Sequence, residues 1–256
     1  MSRIGKAFEN GKAFIGFLTA GDPSIEKSLE FILEMERAGA DLVEIGIPFS
    51  DPMAEGPVIQ EANIRALASG TDLSKVFHLV EEVRKVSEIP LVFLTYMNPV
   101  FKTGISEFFG RCRKTGIDGI IIPDLPFEEK GEVAAAAKEN GIDVISLVAP
   151  TSENRIRMIA EASSGFLYIV SSMGVTGVRS EIKTDITSIV KAAREATDTK
   201  IAVGFGISSP EQAKDIAKTA DGVIVGSAIV RIIGEYGNEA GPKIFEYVRS
   251  MKEAIS

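Results

Sequence analysis

The chain has 256 residues, 45% of them hydrophobic and 25% charged, a balance that excludes disordered, collagenous and disulfide-scaffold classes. A net charge of −8 without any basic stripe argues against a nucleic-acid partner, and the apolar runs fall short of the roughly 18 residues of a membrane span. The start, MSRIGKAFENGKAF, has no uninterrupted apolar stretch of the signal-peptide kind, so a cytoplasmic location is expected.

Short apolar runs alternate with helical periodicity along the whole chain. Eight runs read as strands: Phe14–Ala20, Asp41–Gly46, Leu91–Thr95, Gly119–Ile122, Asp143–Val148, Gly165–Val170, Lys200–Val203 and Gly222–Val225. They are continuously apolar, the pattern of parallel strands covered on both faces. Between them lie amphipathic helices such as Ser24–Ala38, Leu73–Val86 and Glu128–Asn140, the last ended by Gly141. A weak repeat leads into several strands: GADLVEI, GIDGIII, GIDVISL and TADGVIV. Eight β–α units with right-handed crossovers predict a single α/β domain over residues 1–256, a (β/α)8 barrel. The alternative is an open doubly wound sheet, whose glycine-rich fingerprint is missing after the first strand, where the sequence reads TAGDPS.

Two reactive side chains occur once each. Cys112 lies in EFFGRCRKTG and reads as a half-buried helical thiol; His78 lies in LSKVFHLVEEVRKV beside the stripe of Phe77, Val80 and Val83. One histidine and one cysteine disfavour a serine–histidine–aspartate triad and leave no internal disulfide or two-imidazole metal site. Proton transfer in a metal-free enzyme then falls to carboxylates, tyrosines or lysines.

A barrel of this kind holds its ligand at the carboxyl ends of its strands. That filter selects Asp22, Glu44, Asp51, Glu55, Tyr96, Asn98, Asp124 and Thr176. Glu44, flanked by Val43 and Ile45, points either into the barrel mouth or into the helix layer, and the second option buries an unpaired charge. Desolvation at the mouth raises its pKa and suits it to proton donation; a structural carboxylate tied to a lysine or backbone N–H is the other reading. The loop Pro48–Pro57 adds Asp51 and Glu55, and its apolar Phe49 and Met53 are consistent with a partner contact. Three glycine-bearing stretches, SSMGVTGV, VGFGIS and VGSAIV, fall at consecutive late strand ends and point to a phosphorylated small-molecule ligand, with Gly226-Ser227 opening a helix toward it. Phe17, Leu94, Ile121 and Phe205, rimmed by Tyr96 and Tyr168, outline an apolar pocket for a flat ligand, although each alone also reads as barrel packing.

Together these motifs resemble the tryptophan synthase α-subunit family over essentially the whole chain. The diagnostic stretch is VEIGIPFSDPMAEGP, supported in order by LTAGDP, YMNPVF, PDLP, GVTG, VGFGIS and VGSAIV. The resemblance implies a (β/α)8 lyase that cleaves indole-3-glycerol phosphate to indole and glyceraldehyde 3-phosphate. It also implies transfer of the indole to a β subunit that makes L-tryptophan from L-serine, within an α2β2 heterotetramer. No cofactor is expected in this chain, and pyridoxal phosphate is expected in the β subunit. Glu44 matches the family's catalytic glutamate, and Glu55 stands where its second catalytic acid, usually aspartate, is found, one methylene further out. Tyr168 matches a site tyrosine, and Gly177, Gly206, Gly226 and Ser227 match phosphate-binding positions; Ser172 replaces an arginine of some relatives.

Overall fold

The computed structural model describes residues 3–170, 186–204 and 206–256. Among them, nine parallel strands form one sheet in the order β5-β4-β3-β2-β1-β9-β8-β7-β6. In chain order the strands are β1 (Ala13–Thr19), β2 (Leu42–Gly46), β3 (Leu91–Leu94), β4 (Gly119–Ile121), β5 (Asp143–Val144), β6 (Ser146–Val148), β7 (Phe166–Val170), β8 (Lys200–Gly204) and β9 (Gly222–Val225). The run Asp143–Val148, expected as one strand, is divided at Ile145 because its two ends serve different neighbours. β5 pairs with β4, the Ile145 N–H still donates to Ile120 O at 2.9 Å, and β6 pairs with β7. Since β5 and β6 are one stretch of chain, the two ends of the sheet meet there and the ring is the (β/α)8 barrel.

Helices wrap the outside: α1 (Arg3–Lys6), α2 (Ile25–Arg37), α3 (Pro57–Ala68), α4 (Leu73–Arg84), α5 (Met97–Thr103), α6 (Ile105–Thr115), α7 (Gly131–Asn140), α8 (Glu153–Glu161), α9 (Ile186–Arg194), α10 (Pro210–Ala217), α11 (Ser227–Tyr236) and α12 (Ala240–Ile255). Their starts follow capping chemistry. The Ser24 hydroxyl accepts the Lys27 N–H at 3.2 Å, and the Asp72 carboxylate accepts the Lys75 N–H at 2.9 Å. The helix expected over Glu128–Asn140 opens as a separate 3-10 turn, Phe127–Glu129, and then runs on as α7 to its left-handed cap at Gly141. Cys112 is fully buried on α6 rather than half-buried, and burial pushes its thiol pKa up. His78 faces solvent on α4 beside Glu81 and Glu82.

Strand residues divide by parity, as side chains alternate across a strand. Val43, Ile45, Phe93, Ile120, Leu167, Ile169, Val203 and Val223 join the large cluster shared with the helices. The alternate set, including Ile15, Leu42, Val92, Ile121, Phe166, Tyr168, Ala202 and Ile224, fills the barrel interior. Ile4, Ala7 and Phe8 of the N-terminal segment belong to that interior cluster, and Phe8 packs against Phe166 with ring centroids 6.0 Å apart. The N-terminal end of the barrel is therefore plugged, which leaves the carboxyl ends of the strands as the end where a ligand can enter.

Candidate active site

Glu44 occupies the middle of β2, between Phe17 of β1 and Val92 of β3 in the strand register. Its parity is that of Leu42, so it faces the interior, and its relative exposure is 1%. Its Oε1 has no hydrogen-bond partner. A carboxylate stripped of water without a compensating donor favours its neutral form, and burial alone pushes the Glu44 pKa to about 8. Of the two orientations open to Glu44 from its flanking residues, the chain adopts the inward one, and among the described residues no lysine pairs with it. Its negative form is felt by Tyr168, whose own pKa is raised chiefly by burial and further by Glu44.

Glu55 approaches from the loop that follows β2, one residue ahead of Gly56, which precedes α3. It too is buried, yet unlike Glu44 it is held. Asn63 Nδ2 donates to Glu55 Oε2 at 2.5 Å, and Asn63 Oδ1 accepts the Phe49 N–H at 3.2 Å. The Tyr96 hydroxyl also hydrogen-bonds Glu55 and accepts the Ala54 N–H at 3.1 Å. Burial raises the Glu55 pKa to about 7 despite the opposing pull of Asn63 and Tyr96. The two acids thus differ in kind: one neutral and unpartnered, the other oriented by two donors and nearer to ionisation at neutral pH.

The apolar walls come from the same elements. Phe17 packs with Ile59, Ala62 and Val230, so the first turns of α3 and α11 lean on it, and Leu94 joins this cluster from the end of β3. Ile121 and Tyr168 line the interior. Two glycines make room for the rings. A Cβ at Gly46 falls 2.7 Å from Phe17 Cζ, and one at Gly204 falls 2.4 Å from the Tyr168 hydroxyl, both too close for any side chain. Gly226 lies directly against Phe17, and the half-helical positive end of α11 starts at the buried Ser227 with no acidic residue in its first turn. Gly206 follows β8, the strand that pairs with β9 ahead of Gly226, so these two positions stand at neighbouring strand ends. Thr176, Gly177 and Phe205 lie outside the described residues, as does Ser172.

Other polar groups selected from the sequence are spent elsewhere. Asp22 is buried but bound by Arg65 of α3 through two bonds of 2.8 Å. Asp124 accepts the Met97 N–H at 2.9 Å and caps α5, while Asp51 and Asn98 are exposed. Phe49, read as an apolar loop residue for a partner, stacks on Tyr96 at 5.2 Å; Met53 is 80% exposed. Sequence reasoning missed Asn63, which sits on α3 two turns beyond Glu55, and it missed that Gly46, two residues after Glu44, leaves the room the Phe17 ring occupies. Thr19 and Thr95 were also unmarked, and each has a buried hydroxyl oxygen without a partner near the strand ends. Among the described residues no three His, Cys, Asp or Glu side chains gather as metal ligands would, and no helix is long and apolar enough to cross a membrane.

Comparison with known proteins bears on this pair of acids in a barrel mouth. The family model for the tryptophan synthase alpha chain matches residues 5–256. The chain belongs to that family. It is 46% identical over 262 residues to the tryptophan synthase alpha chain of Thermoanaerobacter sp. (strain X514), covering 100% of both proteins. The corresponding protein of Lacticaseibacillus casei is 44% identical over 255 residues, with 100% of this chain and 96% of that one covered. Among solved structures, tryptophan synthase subunit alpha from Legionella pneumophila str. Paris superposes with a TM-score of 0.91 at 35% identity, covering 100% of this chain and 98% of that one. A tryptophan synthase complex from Pyrococcus furiosus gives 0.87 at 37% identity over 95% and 99%.

Proposed function

We propose that Glu44 and Glu55 carry the carbon–carbon lyase reaction expected of the family, the retro-aldol cleavage of indole-3-glycerol phosphate to indole and glyceraldehyde 3-phosphate. The observation that carries the reading is Glu44 itself: a buried, unpartnered carboxyl in the barrel mouth whose pKa near 8 keeps it protonated at neutral pH. Such an acid donates its proton to C3 of the indole ring, which becomes an iminium-like leaving group. As the bond from C3 to the glycerol chain breaks, its electron pair returns to the ring and restores aromaticity. The hydroxyl on the adjacent glycerol carbon becomes the aldehyde and gives up its proton to the Glu44 carboxylate, which returns to its starting form. Glu55, ionised above pH about 7 and aimed by Asn63 and Tyr96, accepts the indole N–H and stabilises the positive charge that develops there.

The remaining assignments follow the walls of the site. Phe17, Leu94, Ile121, Tyr96, Tyr168, Thr176 and Phe205 are the groups proposed to bind the indole and glycerol parts. Gly177, Gly206, Gly226 and Ser227 are proposed for the phosphate, a role supported by the unopposed N-terminal end of α11. The chemistry is assigned to this chain's own side chains with no cofactor, pyridoxal phosphate being placed in a β subunit that receives the indole. Support for that partner comes from the Pyrococcus furiosus relative, whose structure is that of a complex, and from the exposed Met53 and Phe101 at the same end of the barrel.

Indole release from indole-3-glycerol phosphate tests the proposal, measured for the chain alone and with a tryptophan synthase β subunit, in the wild type and in Glu44→Gln. Expected are release that rises when the β subunit is added and a Glu44→Gln rate below about a tenth of the wild type with little change in KM. Retained activity in that variant removes Glu44 from the acid role, and no release by the wild type in either state removes the substrate.

A further inference from the structure

A cavity of about 230 Å³ lies outside the acid pair, where the barrel wall parts between the end of β4 and the start of β6. It is smaller than the roughly 300–1,000 Å³ of drug-sized ligand sites. Its position follows from the strand division at Ile145: β4 stops at Ile121, the chain turns away through Pro123 and Pro126, and Ser146 has already changed partner to β7. The walls are mostly apolar, with Leu125, Phe127, Leu147 and Ile159 among them. Among the described residues two cations line it, Lys130 and Arg155, and no carboxylate does. Arg155 is engaged at the surface by Glu128, through bonds of 2.7 and 3.1 Å.

Lys130 is different. Its ammonium donates to two neutral oxygens, Ser146 Oγ at 2.9 Å and Ala162 O at 3.3 Å. An ammonium has three donors, so one is left over. Among the described residues no carboxylate lies within ion-pair distance of it; Asp143 acts on it only through space, and burial holds its pKa below the ordinary lysine range. A half-buried cation with a donor to spare, whose nearest carboxylate acts on it only from a distance, and which borders an apolar hollow is completed by a ligand with one negative oxygen group on a small apolar body. Phosphate suits the hollow less well, since a dianion needs several converging N–H donors and Pro123 and Pro126 supply none.

We propose that this cavity is a binding site for small apolar monocarboxylates, with Lys130 as the anchor of the carboxylate and the walls from Leu125, Phe127 and Ile159 holding the hydrocarbon part. The site is separate from the acid pair, although Leu147 and Ile145 border both the cavity and the barrel interior.

Benzoate is the probe, with benzamide as its neutral counterpart of the same shape. Titration of the full chain is followed by backbone amide NMR shifts, with saturating glycerol 3-phosphate present to occupy the phosphate end of the catalytic site. Expected is saturable millimolar binding of benzoate with shifts centred on Lys130, Ser146 and Ile159, and benzamide weaker by about tenfold or more because the charge-assisted bond is lost. Lys130→Met is expected to weaken benzoate to the benzamide level, and Lys130→Arg to retain most of the affinity. Equal binding of benzoate and benzamide to the wild type overturns the proposal even if the Met variant does not fold. No saturable shifts, or shifts confined to the surroundings of Glu44 and Tyr168, overturn it as well.

Discussion

Replacing Glu44 by glutamine is expected to make the protein more stable while removing its activity, and the gain should depend on pH in a calculable way. Glu44 is 1% exposed, and burial alone moves its carboxyl from 4.5 to about 8. At about 1.4 kcal/mol per pH unit this is on the order of 5 kcal/mol of preference for the neutral form inside the fold. The unfolded chain releases that proton near pH 4.5, whereas the folded chain keeps it until about pH 8. Folding therefore retains more protons across this window, and wild-type stability falls with rising pH through it: the contribution is complete below the unfolded value and lost by the time pH passes the folded one. Glutamine has nearly the shape of the protonated acid and does not titrate. The advantage of Glu44→Gln over wild type should accordingly grow by about 4 kcal/mol between about pH 5 and about pH 8 and then stay level. Glu55, raised to about 7, titrates in both proteins and cancels from the difference. Urea unfolding of the two proteins across this range measures it directly. Curves that run parallel within about 1 kcal/mol would refute the placement of a neutral acid at this position.

Three further outcomes are expected. The kcat/KM of indole release should follow a narrow bell, rising as Glu55 ionises near pH 7 and falling as Glu44 ionises near pH 8; a profile still flat at pH 10 would contradict it. Asn63→Ala removes the donor 2.5 Å from Glu55, so the acid limb should shift upward and kcat/KM should fall about tenfold or more, with the alkaline limb unmoved; an unchanged acid limb would deny Asn63 its hold on Glu55. Gly204→Ala puts a methyl 2.4 Å from the Tyr168 hydroxyl, so a loss of about 1–3 kcal/mol in thermal or urea stability is expected, together with a raised KM; wild-type values for both would show that the ring has other room.

The strand layout was readable because each run is apolar on both faces, a pattern that only a sheet covered inside and outside requires. Glu44 was readable as a charged residue inside such an apolar run, but its near-complete burial in the interior, accommodated by the neutral form, came only with the structure. The division at Ile145 left no mark in the sequence, since it comes from which neighbour each half of the run meets on closing the ring. Glu55 was visible as a carboxylate on a loop, but its partners Asn63 and Tyr96 reach it from a helix and from the connection between β3 and α5, contacts that only the tertiary arrangement creates. The stacking of Phe49 on Tyr96 was hidden for the same reason. An apolar side chain on a polar loop looks free until the ring it stacks on is in view.

The ring is closed in two ways: by the pairing of Ala13 with Gly222 and by the continuous backbone from Asp143 to Val148 that serves β4 on one side and β7 on the other. Among the described residues the backbone groups without a ladder partner are confined to the short gap between the end of β4 and the start of β6, so the sheet offers a second chain no full-length edge on which to add a strand. That protection arrives late. Pairing residues so distant in sequence carries a large loop-closure cost, and until it is met the partly built sheet exposes two apolar edges. Aggregation during synthesis and refolding is therefore expected to concentrate in the interval before β9 docks on β1, and changes that weaken that one pairing should reduce the yield of soluble protein out of proportion to their effect on the finished barrel.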